Sequence, residues 1–183
     1  CPLRCKWCSN PEGMDRRFDI MYKSNSCSSC GACVTVCPVG IHVISEQTGK
    51  HEIRRDRECI GCRKCKNVCP QAALEITGEM KTVSELLALV EEDSAFYDMS
   101  GGGSTLGGGE CTAQPEAALN FLMARKREGM HTAIETCGYT KTETLLNIAE
   151  YVDLFLYDIK HMNPQRHNEL TGVGNERILF NLG

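Results

Sequence analysis

The chain has 183 residues, a formal net charge of -4 and 13 cysteines. That length gives room for one domain with a real core, or for a main domain carrying a small insert. The acidic balance argues against nucleic acid or an anionic membrane as the main partner, since both call for a basic face, and no apolar run reaches the roughly 18 residues a membrane span needs.

The cysteines decide the class of chemistry. Eleven of the thirteen fall in three tight clusters before residue 70, whereas a secreted disulfide scaffold spreads its cysteines through the chain. Metal ligation is therefore expected, in a reducing, oxygen-poor cytoplasm. The first cluster, in "CPLRCKWCSN", places Cys1, Cys5 and Cys8 at C-x3-C-x2-C spacing. A closed structural metal site wants four ligands, so three thiolates leave a position open.

The second and third clusters are a repeat. "CSSCGACVTVCPVGI" from Cys27 recurs 32 residues later as "CIGCRKCKNVCPQAAL" from Cys59, each reading C-x2-C-x2-C-x3-C-P. This is the bacterial ferredoxin run, in which three cysteines bind one 4Fe-4S cluster and the fourth reaches across to the other. The pairing would be Cys27, Cys30, Cys33 and Cys69 on one cluster, and Cys59, Cys62, Cys65 and Cys37 on the other. A pair of zinc sites, the plainer alternative, has no use for such cross-ligation. Pro38 and Pro70 stop the chain from continuing helically, and Gly31 and Gly61 let backbone lie close to inorganic sulfide. Between the runs, "HVISEQTGKHEIR" predicts two short strands around a Thr-Gly turn.

After residue 76 helices and strands alternate. "TVSELLALVEEDSAFY" predicts a helix behind a Thr82 or Ser84 cap, and "PEAALNFLMARKREG" another, with Pro115 in its first turn and Gly129 past its end. "HTAIETCG" reads as a buried strand, "TETLLNIAEY" as a helix, "DLFLYDIK" as a strand and "ERILFN" as the start of one more. The rhythm implies parallel βα units with right-handed crossovers, about four of them against the eight of a full barrel. The expected organisation is 1–23 as a cluster loop, 24–76 as the insert and 77–183 as an incomplete barrel, with the whole a fragment at both ends.

"SGGGSTLGGGE" holds six glycines in residues 101–109. It reads either as a flexible linker or as backbone laid beside a ligand, with Glu110 placed to take an ammonium group. Glu135, Asp158 and Lys160 end predicted strands, where parallel βα folds bind ligands; the bland reading is a solvated strand end or an Asp158–Lys160 ion pair. His131, His161 and His167 read as surface or turn residues. Cys111 and Cys137 read as small buried hydrophobes near the ligand face.

The three-cysteine loop with Trp7 before its last cysteine, followed by Gly108-Gly109-Glu110 in a βα framework, resembles the radical S-adenosylmethionine (SAM) enzymes. The added insert, "YDMSGGGSTLGGGE", "ETCGY" and "DIKHMNPQRHNELTGV" resemble, within that family, the glycyl-radical-enzyme activating enzymes. The resemblance implies a partial (β/α)6 barrel, here truncated, with an inserted α+β ferredoxin domain. Cys1, Cys5 and Cys8 would hold a 4Fe-4S cluster whose free iron is chelated by SAM, giving three clusters in all. Gly108, Gly109 and Glu110 would meet the SAM amino group and Trp7 its adenine. Glu135 and Asp158 would line the pocket, and Lys160 would help hold the cofactor or the incoming substrate loop. The implied reaction is reductive cleavage of SAM to a 5'-deoxyadenosyl radical that takes hydrogen from a glycine Cα of a partner glycyl radical enzyme. Partner types include the formate-lyase, diol dehydratase, choline lyase and arylacetate decarboxylase classes. The electron donor would be a flavodoxin or ferredoxin. A radical SAM enzyme acting on a small molecule or other peptide, and an electron-transfer ferredoxin fused to a βα domain, are the competing readings.

Overall fold

The structure, a computed structural model, describes residues 1–183. It divides into two compact units, Asp15–Met80 and a second formed by Cys1–Met14 with Lys81–Gly183.

The Asp15–Met80 unit is built twice over. Strand β1 (Asp19–Tyr22), helix α1 (Ala32–Val36) and strand β2 (His42–Ile44) are followed by β3 (His51–Ile53), α2 (Lys64–Asn67) and β4 (Leu74–Thr77). The inner strands β2 and β3 pair antiparallel around Thr48 and Gly49, as the sequence predicts, and the outer strands β1 and β4 pair antiparallel with Tyr22 opposite Leu74. That second pairing joins residues more than fifty positions apart, so the unit extends beyond the expected 24–76 at both ends. Ile20, Ile41, Leu74 and Ile76 form its core together with Cys33 and Cys65.

The 32-residue sequence repeat is also a backbone repeat. Ser29 and Gly61, Gly31 and Arg63, and Gly40 and Ala72 are each 32 apart and all have positive φ. In each pair one half uses glycine and the other a residue with a Cβ. Ala72 at φ 46° and Arg63 at φ 57° carry a strain of about 1–2 kcal/mol that their glycine counterpart avoids.

In the other unit, α3 (Val83–Glu91) starts on a capping box in which Thr82 and Glu85 exchange side-chain-to-backbone hydrogen bonds. Helix α4 (Ser94–Ser100) leads to β5 (Gly103–Leu106), α5 (Pro115–Arg127), β6 (His131–Thr136), α6 (Thr142–Ala149), β7 (Leu154–Tyr157), α7 (Pro164–Thr171) and α8 (Glu176–Leu182). The sheet is all parallel in the order β5-β6-β7. Leu106, Ile134, Phe155 and Tyr157 share one face of it and pack against Ala118 and Leu122 of α5 and Leu145 and Ile148 of α6. Asp153 pins the β6–β7 register: Thr132 N-H donates to its Oδ2 at 2.8 Å, and Lys126 pairs with its Oδ1.

Three sequence expectations change here. The residues read as a strand at "ERILFN" form α8, because a short apolar run does not separate strand from buried helix; three parallel strands result instead of about four. The glycine-rich stretch contains β5 and is not a linker over 103–106. His167 is fully buried, its Nδ1 2.7 Å from the Val173 carbonyl and 3.0 Å from Thr171 Oγ1, and is not a surface residue. No helix is long and apolar enough to cross a membrane.

Replacing Ala72 by Gly should stabilise the unit by about 0.5–1 kcal/mol, the αL relief less glycine's entropy. Anaerobic thermal melts of the full-length protein should show a raised midpoint, and an unchanged or lowered one would contradict the strain.

Candidate functional site

The site is built on the carboxyl end of the parallel sheet, where βα folds place ligand-binding groups. After β5 the chain turns through Gly107, Gly108 and Gly109 to Glu110, which caps a short 3-10 turn at Cys111–Ala113 by accepting the Thr112 N-H. Gly109 has no room for a side chain, since a Cβ there would lie 2.4 Å from the Gly13 carbonyl oxygen. The same oxygen accepts from the Cys1 backbone nitrogen at 2.6 Å. The glycine turn and the cysteine loop therefore touch through backbone.

Glu110 is buried and saturated with donors. Its Oε1 accepts from Thr112 N-H at 3.1 Å, Thr112 Oγ1 at 2.8 Å and Thr136 Oγ1 at 2.8 Å, and its Oε2 accepts from Cys137 N-H at 2.8 Å. Burial pushes the carboxyl pKa up, but the hydrogen bonds from Cys137, Thr112 and Thr136 outweigh it and hold the group below its ordinary value. The carboxylate thus bolts the turn after β5 to the end of β6. Burial and the Glu110 charge push the Cys137 thiol far up, and the same causes push Cys111 up to about 12. Both stay protonated near neutral pH.

The cysteine loop is anchored by Leu3, which is buried, and by α7. Arg4 N-H donates to the Thr171 carbonyl at 2.7 Å and Lys6 N-H to that of Leu170 at 3.0 Å, satisfying carbonyls the helix end leaves free. The sequence reading missed α7, although Asn163-Pro164 and Gly172 are its start and stop signals: Asn163 caps it through Arg166 N-H, and Gly172 closes it at φ 85°.

Cys1, Cys5, Trp7 and Cys8 face Gly108, Gly109, Glu110, Glu135, Asp158 and Lys160 around one open cleft. Cys137, which the sequence sets near the ligand face, also lines it, as do Ser9, Asn10 and Thr136, which were not singled out. Lys160 pairs with Asp158; burial lowers its pKa, but the hydrogen bond and charge of Asp158 outweigh this, so the ammonium persists. Burial raises the Cys5 pKa while the Lys160 charge opposes the rise. Three half-exposed, unbridged thiols beside a fixed cation fit a metal cluster with one side open to the cleft.

In the Asp15–Met80 unit the cysteines gather across the two runs. Cys27, Cys30, Cys33 and Cys69 line one cavity. Cys65 lies within the electrostatic reach of Cys59, Cys37 and Cys62. Ser29 N-H points to Cys27 Sγ at 3.4 Å, and Gly61 N-H to Cys59 Sγ at the same distance. All of these cysteines are free thiols, and the donor set fits two iron-sulfur clusters.

Glu110→Gln replaces an acceptor oxygen by an N-H that faces existing donors, which should cost about 2–3 kcal/mol by chemical denaturation. Because the folded carboxyl titrates below its ordinary value of 4.5, its stabilisation is complete above that pH and is lost as pH falls through the lowered folded value. Wild-type stability should therefore fall more steeply in acid than that of Glu110→Gln; parallel curves would contradict the clamp.

A model of the radical SAM superfamily matches residues 1–182. The chain is 60% identical over 182 residues to the choline trimethylamine-lyase activating enzyme of Oleidesulfovibrio alaskensis, covering 100% of this chain and 59% of that protein. It is 42% identical over 187 residues to the isethionate sulfite-lyase activating enzyme of Nitratidesulfovibrio vulgaris, with 100% and 60% covered. It is 43% identical over 186 residues to the (2S)-3-sulfopropanediol sulfolyase activating enzyme of Bilophila wadsworthia, with 100% and 61% covered. The chain thus spans about three-fifths of the length of these curated relatives. A family match along nearly its whole length, in a chain whose three-thiol loop and Gly-Gly-Glu turn share one cleft, means that it belongs to the radical SAM superfamily.

Proposed function

We propose that these residues form the SAM-binding part of a glycyl-radical-enzyme activating enzyme. The observation that carries the reading is the single cleft shared by Cys1, Cys5, Cys8, Trp7 and Gly108-Gly109-Glu110. Relatives named as activating enzymes at 42–60% identity support the same class. The relative at 60% identity is named for choline trimethylamine-lyase, which makes that type of enzyme the first partner to test.

Cys1, Cys5 and Cys8 would hold a 4Fe-4S cluster, which when bound supplies the electron that splits SAM into methionine and a 5'-deoxyadenosyl radical. The chain's own residues hold and orient. Trp7, 48% exposed, offers a ring for adenine to stack on. The glycine turn offers backbone carbonyls to the SAM amino group, with Glu110 fixing the turn and adding its negative charge. Lys160 sets a positive charge beside Cys5, suited to a carboxylate of SAM or to the incoming glycine loop, and Asp158 and Glu135 complete the wall.

The barrel would be a partial (β/α)6 barrel, of which β5, β6 and β7 are three neighbouring strands. The Asp15–Met80 unit would be a ferredoxin-type insert with clusters on Cys27, Cys30, Cys33 and Cys69 and on Cys37, Cys59, Cys62 and Cys65. It would take electrons from a flavodoxin or ferredoxin in the cytoplasm.

The full-length protein, given SAM, a low-potential reductant and a glycyl radical enzyme of the choline lyase type, should generate an electron paramagnetic resonance (EPR) doublet on the partner, from the one α-hydrogen left on the glycyl radical. Cys5→Ala should lower 5'-deoxyadenosine formation more than 100-fold. SAM cleavage that survives Cys5→Ala would move the site elsewhere, and a small molecule consumed without any doublet would favour the competing substrate class.

A further inference from the structure

The core of the Asp15–Met80 unit contains two histidines that the function above does not use. His42 and His51 are 1% and 4% exposed, and His42 Nδ1 lies 3.0 Å from His51 Nε2. The remaining ring nitrogens, His42 Nε2 and His51 Nδ1, are buried with no protein partner. Buried polar groups in that state require an explanation. His51 also lines the cavity of Cys27, Cys30, Cys33 and Cys69, and one ligating atom of each histidine lies within 4.8 Å of the others and of Cys33 Sγ.

The shared hydrogen bond allows two arrangements. If His51 donates through Nε2, its buried Nδ1 keeps a lone pair and His42 keeps a buried N-H with no acceptor. If His42 donates through Nδ1, His51 carries its hydrogen on Nδ1 and His42 keeps an unpaired lone pair on Nε2. In the second arrangement the buried N-H without a protein partner belongs to His51, which lines the cysteine cavity, and not to His42, which does not, and no lone pair of His51 is left free beside the anionic sulfurs. The remaining contacts hold this ring in place. Its backbone N-H donates to Ser29 Oγ at 3.1 Å, and Tyr22 stands edge-on at 4.7 Å between centroids, its hydroxyl donating to the His51 carbonyl at 3.3 Å.

The other half of the repeat lacks the pair. Strand register sets His42 opposite Ile53 and Leu74 opposite Tyr22, so His42 corresponds to Leu74 and His51 to Ile20. Both counterparts are apolar.

We infer that His51, oriented by His42, donates its Nδ1-H to a sulfur of the cluster held by Cys27, Cys30, Cys33 and Cys69, and so makes the two insert clusters electrochemically unequal. A hydrogen bond to sulfur stabilises the more negative, reduced state and raises the reduction potential. His51 is a positioning and tuning residue, and the cluster in the His51 cavity is the more easily reduced of the two. The inference rests on the assignment of those four cysteines to one cluster.

The test uses the full-length protein with Cys1, Cys5 and Cys8 replaced by Ala, reconstituted anaerobically and titrated by EPR-monitored potentiometry. About eight irons per chain and two one-electron waves are expected. His51→Leu should lower one potential alone, by about tenfold in the reduction equilibrium, or about 59 mV. His51→Asn, which keeps a donor near the Nδ1 position, should recover most of the shift. Where His51→Leu loses iron, pulsed EPR of the unsubstituted insert clusters with 15N-histidine decides, and a histidine nitrogen coupling on one cluster is expected. Two unchanged potentials at full iron content, or no histidine coupling, overturn the inference while leaving the clusters standing. Fewer than about four irons per chain, or one zinc bound through Cys33, His42 and His51, overturns the cluster assignment and the inference with it.

Discussion

The buried Glu110 carboxylate is the interaction on which the cleft depends. It joins the turn after β5 to the end of β6 through the Thr136 hydroxyl and the Cys137 N-H, two of its four hydrogen bonds, and with that turn fixed Gly109 lies against the Gly13 carbonyl. A carboxylate in so dry a place is stable only because every strong donor around it is already aimed at it. The cost of burial is thereby offset, and the cysteine loop meets the sheet at a defined distance. Lys160 then contributes a cation where thiolates and an anionic ligand would gather, its own charge preserved by Asp158.

The Asp15–Met80 unit solves a different problem. Its short helices and strands enclose a small apolar core, so the arrangement of its thiols depends on tight left-handed turns repeated at 32-residue spacing. The two halves match in backbone and differ in side chain, with glycine alternating between them and a histidine pair on one side only. The two clusters proposed for it would share their ligation and differ in their surroundings, which is what gives like clusters unlike potentials.

Much of this was legible in the sequence because the informative signals were local. Cysteine spacing, the Thr82 cap, Pro115 and the Thr48-Gly49 turn each depend on residues a few positions apart. The missed features depend on distant partners. The β1–β4 pairing joins residues more than fifty apart, so the limits of the Asp15–Met80 unit lay beyond the cysteine motifs within it. The glycines hid β5, whose strand character comes from pairing with β6. Ile178, Leu179 and Phe180 gave the same apolar run that a strand would, and His167 showed no spacing from which its burial could be read. Glu110 was recognised as a candidate ligand group, but its role as a bolt required Thr136 and Cys137, more than twenty residues away.

The central proposal is that chemistry begun at the three-cysteine cleft ends at a glycine Cα on another protein. The most direct measurement is mass spectrometry of the 5'-deoxyadenosine formed by the full-length protein acting on a glycyl radical enzyme whose glycines carry deuterium at Cα. The account predicts one deuterium in the nucleoside for each partner radical formed. SAM consumed at an undiminished rate, with no deuterium in the product, would contradict it.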